Sequence, residues 1–465
     1  MSRDFQAIVI GAGPGGYPCG IRLGQLGVKT LVIEKEHWGG VCLNVGCIPS
    51  KALITAAKRM EEIKHAATMG ITVTGEVSLD MSKLQAWKTG ITTKLNSGVA
   101  TLLKGNGVQT MRGTATIVGP NEVEVVSAEG TARYTADYIV VATGSRPIQI
   151  PGFSFADGPV LDSTKGLALD AVPGRLVVIG GGYIGLELGG MYAKLGTNVT
   201  VVEAMDGVLP GFDPDCVKVI ERKLKKAGVT TLLKTKALGW EMADDGIVVK
   251  VATPDGERAI PADYVLVTVG RFPNTEGLGL AEVGVKLDGR FVQVDDQRRT
   301  TVPSIFAIGD VACQPMLAHK ATYEGELVAE VIAGHKRRYD ARSVPAVVFT
   351  DPEIAIAGLD EAQARARGPV KVGKVPYAAI GRALTTGETD GFFKVILDEA
   401  TDVVLGVTIC GSHASDLISE AALAVEMVAE GLDLGLTIHP HPTLGEGVME
   451  AAKAALGEAI HVLNK

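Results

Sequence analysis

The sequence predicts an α/β protein with two copies of one strand–glycine turn–helix–strand unit and a separate α+β region towards its carboxy-terminal end. Three observations predict this. An apolar strand at residues 6–10 runs into Gly11-Ala-Gly13-Pro-Gly-Gly16, then an amphipathic stretch to Leu26, then a second apolar strand, Thr30–Ile33, that ends at Glu34. The same order returns as Arg175–Ile179, Gly180-Gly-Gly182-Tyr183-Ile-Gly185, a helical stretch to Leu195, and Val199–Val202 ending at Glu203. Residues beyond 345 mix strands (346–350, 392–397, 404–410) with helices, one of them 417–430, and carry no third copy of the pattern.

Each copy reads as a Rossmann-like dinucleotide-binding unit. The first glycine (Gly11, Gly180) permits a tight turn. The second (Gly13, Gly182) lets backbone approach a pyrophosphate, and the third (Gly16, Gly185) lets helix pack on strand. The helix then presents free N–H groups and a positive dipole end to phosphate. An acid at the end of the second strand accepts hydrogen bonds from a ribose diol. A single fingerprint is weak, because glycine-rich turns also arise for structural reasons alone. Here the first glycine and the acid are 23 positions apart in both copies, each in full strand context, so two dinucleotides are expected.

Between the copies lie a helical stretch over about 50–104, alternating strands near 114–126, and a strand at 138–142 running into Thr143-Gly144-Ser-Arg-Pro147. After the second copy, Tyr264–Thr268 leads to Gly270-Arg-Phe-Pro-Asn274, and residues 304–308 lead to Gly309-Asp310.

At 465 residues the chain exceeds what one core supports, so two to four domains are expected. A net charge of −8 argues mildly against nucleic acid as a partner. No segment approaches a membrane span of roughly 18 uncharged apolar residues, and residues 1–7 lack a basic leader with an apolar stretch behind it. A cytoplasmic or mature organellar protein is expected.

Six cysteines are too few for a disulfide scaffold in so long a chain. Cys19, Cys216, Cys313 and Cys410 stand far apart among mostly apolar residues and read as buried packing. Cys42-Leu-Asn-Val-Gly-Cys47 differs. Its four-residue gap does not suit zinc, and no second pair completes four ligands. Gly39, Gly40, Gly46 and Pro49 make a tight backbone rather than a packed core. Paired thiols at a helix entry point to redox chemistry, since a helix N-terminus favours thiolate.

His439-Pro-His441-Pro-Thr443-Leu-Gly-Glu446 supports two readings. Thr443 and Glu446 fit a capping box, which would make the glutamate structural. Alternatively, His441, kept out of helix by the following proline, sits where Glu446 can orient an imidazole base.

Taken together, these motifs resemble the pyridine nucleotide–disulfide oxidoreductases over about residues 5–455. The runs Gly40-Val-Cys42 to Cys47-Ile-Pro-Ser-Lys51, Pro315-Met316-Leu-Ala318-His319-Lys-Ala, and His439-Pro-His441-Pro-Thr resemble the lipoamide dehydrogenase branch of that family. The resemblance implies FAD at the first unit and NAD at the second. It implies that Thr143, Gly144 and Asp310 approach the flavin nucleotide, that Lys51 pairs with Glu187 near the reactive flavin nitrogen, and that Met316, Ala318 and Gly270 are further cofactor-binding residues; Tyr183 is either a lid over the nicotinamide pocket or a tyrosine packing at its helix start. Cys42 and Cys47 would form the redox-active disulfide, Cys47 facing the flavin and Cys42 exchanging with substrate. His441 would be the acid–base group, oriented by Glu446 and serving the partner subunit's disulfide in a homodimer. The chain would then divide into FAD-binding (1–148), NAD-binding (149–275), central FAD-binding (276–344) and interface (345–465) domains. Its substrates would be lipoyl-bearing carrier domains of 2-oxoacid dehydrogenase or glycine cleavage complexes.

Rivals fare worse. Glutathione reductase would need arginines near Ala204 and Pro210 to grip a 2′-phosphate, and mercuric reductase a cysteine pair within 451–465; neither is present. A purely structural flavoprotein would not need Cys42, Cys47, His441 and Glu446 intact. Val41, Pro440, Gly445 and Pro18-Cys19 depart from the residues expected of the family, without removing a reacting group.

Overall fold

In the computed structural model, residues 3–156 and 158–464 are described. They form two compact units: residues 3–149, 161–171 and 269–340, and residues 150–156, 158–160, 172–268 and 341–464.

The first unit is built on a sheet in the order Gln109–Arg112, Thr30–Glu34, Phe5–Ile10, Gly130–Val141, Glu122–Ser127, Thr114–Gly119. The inner strands run parallel, with Val9 against Val32 and Ile10 against Val141, and Ile305–Ala307 adds parallel to Gly130–Val141. Both faces are covered. Ile8, Ile10, Ile33, Ile139 and Val141 pack to one side, and Ala7, Val9, Val32 and Val140 to the other. That double burial is why these strands read as unbroken apolar runs rather than alternating ones. Helix Gly16–Gln25 crosses Ala318–Ile332 so closely that a Cβ on Gly325 would meet the Gly15 carbonyl oxygen at 2.3 Å. Pro18 is tolerated in this helix because the amides of a first turn have no intrahelical acceptor to lose.

The region expected to be helical over 50–104 is Cys47–His65 and Met81–Gly105. The expectation that nothing approaches a membrane span needs correcting. The run Gly40–Met69 is long and apolar enough to cross one, by length and composition only. The run breaks at Gly46, and Ala52, Leu53 and Ala57 are buried in the folded unit, although only 28% of the apolar window is buried in all.

The second unit repeats the parallel arrangement, in the order Thr230–Leu232, Asn198–Val202, Arg175–Ile179, Tyr264–Val267. An antiparallel three-stranded sheet, Lys236–Ala243, Gly246–Thr253, Gly256–Ala262, follows within it. Its C-terminal part is a five-stranded antiparallel sheet in the order 346–348, 353–358, 404–411, 392–398, 370–376, packed by helices Ala414–Glu426 and Glu446–Leu456. The first of these starts three residues earlier than the periodicity predicts, at Ala414. It stops before Val428, whose φ of +57° leaves the helical region.

Helix Pro214–Lys226 is tied to the C-terminal sheet through Lys394. This side chain is only 3% exposed and reaches Asp213 at 2.8 Å, Asp215 at 3.0 Å and Glu361 at 3.1 Å. Burial pulls the lysine down, but the three carboxylates outweigh it and hold the ammonium well above its ordinary range. Lys394→Met leaves Asp213 buried without its cation, so stability falls by about 3–5 kcal/mol, the usual cost of half a buried pair. Denaturant unfolding at neutral pH measures it, and a loss below about 1 kcal/mol would contradict the assignment.

Candidate active site

The two glycine turns have the same geometry. Gly11 (φ +101°) and Gly180 (φ +107°) lie in the left-handed region, where an added Cβ would strike the Ala142 and Thr268 carbonyl oxygens at 2.4 and 2.7 Å. A Cβ on Gly16 or Gly185 would meet the carbonyl oxygen of Gly11 or Gly180 at 1.8 or 2.2 Å. The middle glycines differ: a Cβ on Gly13 meets nothing nearer than 3.9 Å, and one on Gly182 nothing within 4 Å. The turn is closed by its outer glycines and open at its middle one, beside a helix N-terminus. That cradle suits a pyrophosphate in both copies.

Glu34 and Glu203, expected to face a ribose, each bond to backbone N–H groups of their own unit. Glu34 Oε2 accepts from the Ala12 N–H at 2.7 Å and Oε1 from the Glu36 N–H at 2.7 Å. Glu203 Oε2 accepts from the Gly181 N–H at 2.6 Å and Oε1 from the Met205 N–H at 2.7 Å. Each acid therefore braces its own glycine turn; Glu34 Oε1 also accepts from the His37 N–H at 3.2 Å, which leaves a lone pair for a ligand hydroxyl on Glu34 Oε2 and on both Glu203 oxygens. Tyr183 begins helix Tyr183–Lys194 and is 37% exposed, while Glu187, a turn later, is buried and accepts from the Phe349 N–H at 2.9 Å.

In the first unit a network of contacts collects the residues expected to approach the flavin. Thr143 Oγ donates to the Asn274 carbonyl at 2.8 Å, and the Asn274 N–H donates to the Gly144 carbonyl at 2.9 Å. Asp310, on the turn Gly309–Val311, accepts from Ser145 Oγ at 2.5 Å; Ser145 is held in turn by Arg271 Nε at 2.7 Å. Gly270 joins this group through its carbonyl, which accepts from the Ile148 N–H at 3.0 Å. Ser145, Arg271 and Asn274 were not singled out from the sequence. Their signal was the pairing of 145–147 with 271–273, two short strands that only the tertiary structure shows to be antiparallel neighbours. Met316 and Ala318 lie at the entry to helix Ala318–Ile332.

Cys42 lies on the short helix Gly40–Val45 and Cys47 is the first residue of Cys47–His65, both in the thiol form. Cys47 is the more exposed of the two. The expectation that a helix N-terminus lowers a thiol pKa fails for Cys42. The neighbouring Cys47 sulfur, then burial, push its thiol well up, and the nearby Lys51 ammonium opposes them only in part. Lys51 follows one turn into the same helix.

At the other end, His441 is 77% exposed and its Nδ1 lies 2.9 Å from Glu446 Oε1. A carboxylate accepts, so Nδ1 carries the hydrogen and Nε2 is left to take a proton. Burial pushes the Glu446 carboxyl up, but the Thr443 N–H and His441 outweigh it and hold it below its usual range. The capping box is only half formed. Thr443 N–H does donate to Glu446 Oε2 at 2.9 Å, whereas Thr443 Oγ donates to the Pro440 carbonyl at 2.7 Å, and the helix starts at Glu446 itself. Cap and dyad readings therefore hold together, one oxygen each. His439, not singled out as reactive, is tied to Glu420 at 2.8 Å and to the Thr437 carbonyl at 2.8 Å, which fixes the loop ahead of His441.

The C-terminal part also exposes large apolar side chains, among them Ile438 at 95% and Leu463 at 91%. No group of three or more metal-ligating side chains occurs among the described residues.

Comparison with known proteins agrees with this geometry. The pyridine nucleotide-disulphide oxidoreductase family profile matches residues 5–325, and the dimerisation domain of the same family matches 344–452. Dihydrolipoyl dehydrogenases from Geobacillus stearothermophilus and Thermus scotoductus are each 49% identical, over 99% and 100% of this chain and 98% and 100% of theirs. One from Haloferax volcanii is also 49% identical, over 100% of this chain and 99% of its own. Among solved structures, LpdA from Mycobacterium tuberculosis superposes with a TM-score of 0.90 at 29% identity, covering 96% of this chain and 99% of that one. The flavoprotein disulfide reductase RclA from Escherichia coli reaches 0.86 at 27% identity, covering 97% of this chain and 99% of that one. With both its redox portion and its dimerisation portion matched along almost the whole length, the chain belongs to the pyridine nucleotide–disulfide oxidoreductases.

Proposed function

We propose that this protein is a homodimeric dihydrolipoyl dehydrogenase that oxidises a protein-bound dihydrolipoyl group and reduces NAD, working in the cytoplasm. The observation that carries the reading is the combination, in one chain, of a dithiol at the entry of Cys47–His65 and a His–Glu dyad whose free Nε2 can take a thiol proton. The first glycine turn would hold FAD and the second NAD, and these two cofactors would supply the redox chemistry that takes up the dithiol's electron pair.

The chain's own groups do the rest. His441 Nε2 takes a proton from a substrate thiol, and Glu446 stabilises the resulting imidazolium. The substrate thiolate attacks Cys42 in the Cys42–Cys47 disulfide; the S–S bond breaks and Cys47 leaves as thiolate. The second substrate thiol then attacks the mixed disulfide, releasing Cys42 and the closed lipoyl ring. Lys51 and Glu187 act as a pair near the flavin, and Tyr183 acts as a lid on the nicotinamide pocket. Exposed apolar side chains of the C-terminal part are covered by the second subunit, whose His441 serves this chain's disulfide. The physiological partners are lipoyl-bearing carrier domains of 2-oxoacid dehydrogenase or glycine cleavage complexes.

Anaerobic titration of the FAD-loaded protein with NADH tests the reading. A long-wavelength absorbance band, lost in Cys47→Ser, is expected of a thiolate beside oxidised flavin; no band in either protein would sink it. Nucleotide choice follows from Glu203, whose charge repels a 2′-phosphate. We expect kcat/KM for NADH to exceed that for NADPH by about a hundredfold or more. Equal efficiencies would show that Glu203 only braces its turn.

A further inference from the structure

Helix Gly40–Val45, which carries Cys42, has little of its own to hold it. It is six residues long, its N-cap is Gly39 at a φ of +89° with no side-chain cap, and none of its residues is buried. A helix so short is not stable in isolation. Leu43 packs with Trp38 against the core of the first unit, which fixes one side. Asn44 adds no helix propensity, because its amide competes for backbone partners.

That competition is what holds the helix in place. Asn44 Nδ2 donates to the Trp38 carbonyl at 3.0 Å and to the Gly40 carbonyl at 2.9 Å. Two carbonyl acceptors oblige the amide nitrogen to face them, which turns Oδ1 the other way. There it accepts from Asn96 Nδ2 at 3.0 Å, on helix Met81–Gly105, 52 positions along the chain. The segment that Asn44 grips is itself fixed on the first glycine turn. The Gly39 N–H donates to the Ala12 carbonyl at 2.8 Å, and an added Cβ on Gly40 would meet Gly13 Cα at 2.6 Å. At its far end the short helix meets Cys47–His65 at Gly46, where an added Cβ would meet the Val41 carbonyl oxygen at 3.0 Å and Cys42 Cα at 3.3 Å. A shift of the short helix therefore moves Cys42 relative to both Cys47 and the glycine turn.

We propose that Asn96 is a positioning residue for the dithiol and acts through Asn44: the pair fixes the helix bearing Cys42 between the first glycine turn and helix Met81–Gly105, and so keeps the two sulfurs where their disulfide closes. Neither amide transfers a proton or an electron. The effect is one of effective concentration, since a sulfur held in place meets its partner more often than one on a loose segment, and this favours disulfide over dithiol. The inference rests on the reading of Cys42 and Cys47 as the redox pair.

The test equilibrates the FAD-loaded full chain with mixtures of reduced and oxidised dithiothreitol, without NADH or lipoyl substrate. Each Cys42–Cys47 disulfide opened consumes one dithiothreitol, whose two thiols close into a ring. Thiols are then trapped by alkylation and the state of the pair is read by peptide mass spectrometry. Asn96→Ala puts a favoured residue into a helix interior, so folding should hold. It should shift the equilibrium constant towards the dithiol by about threefold or more, and Asn44→Ala by about tenfold or more, in keeping with one lost hydrogen bond against three. Asn96→Leu, which fills similar space without a donor, should match Asn96→Ala. An original equilibrium in Asn96→Leu would show that packing is at work, and the proposal falls. The double variant Asn44→Ala/Asn96→Ala should equal Asn44→Ala alone. Effects that multiply would show that Asn96 does not act through Asn44, and an equilibrium unmoved by Asn96→Ala overturns the proposal outright. If Asn44→Ala does not fold, the two Asn96 variants decide alone. Failure of the functional reading looks different: the expected shifts, in a protein that gives no long-wavelength band with NADH, would uphold the positioning pair and remove the lipoyl activity.

Discussion

Cys47→Ser is expected to lower dihydrolipoamide oxidation by at least about 10⁴-fold, the scale seen when a covalent-catalysis nucleophile is removed. A serine oxygen cannot close a disulfide with Cys42, so the substrate dithiol has no bond to break and no route to pass its electrons inward. The substitution is nearly isosteric at the first position of helix Cys47–His65, where the side chain is exposed, so folding and FAD content should be unchanged. NADH oxidation by an artificial one-electron acceptor, which bypasses the dithiol, should persist near the original rate. Parallel assays of the two activities decide the matter. Retained dihydrolipoamide turnover would remove the dithiol from the mechanism, and loss of both activities together with FAD would show a structural role instead.

His441→Gln is expected to reduce turnover by roughly 10²- to 10⁴-fold, the usual size of a lost general acid–base group. Glutamine keeps a donor towards Glu446 Oε1 but has nothing that can accept a thiol proton. The stronger test mixes two inactive proteins. Cys47→Ser and His441→Gln chains are unfolded together and refolded into mixed dimers. If each site takes its dithiol from one chain and its histidine from the other, one site in every mixed dimer unites an intact dithiol with an intact histidine, and the other site lacks both. Mixing should then restore about half of the original activity per mixed dimer. If each chain supplies its own histidine, both sites stay broken and mixing restores nothing. Recovery therefore separates a shared site from an internal one, and no recovery with well-formed dimers would refute the shared site.

Much of this was legible from the order of residues because the relevant physics is local. The glycine turns need left-handed backbone and close approach at fixed offsets, and only glycine meets both, so Gly11, Gly16, Gly180 and Gly185 advertise their geometry in one dimension. The parallel strands betray themselves because burial on both faces forces unbroken apolar runs such as 6–10 and 175–179. Cys42 with Cys47, and His441 with Glu446, are near neighbours in sequence, so their pairing needs only a helix entry and a loop.

The tertiary structure decided what depends on partners far along the chain. The sequence marks Glu34 and Glu203 as acids at the ends of second strands, but that each braces its own glycine turn depends on where the carboxylate lands after the second strand pairs with the first. Ser145 and Arg271 meet 126 positions apart, and no spacing rule reaches so far. The assumption of a lowered thiol pKa failed at Cys42 because a neighbouring sulfur and desolvation outweigh a nearby cation, and that balance is a property of packing. Cys313 shows the same limit. In sequence it is one of four scattered cysteines that read as packing, and only the folded chain brings Lys320, Glu324 and Arg298 around it. The sequence by itself therefore determined the two glycine turns and the closeness of Cys42 to Cys47 and of His441 to Glu446, because short-range backbone geometry encodes them. The structure decided how buried charges are shared, because that energy depends on distances in three dimensions and on the exclusion of water.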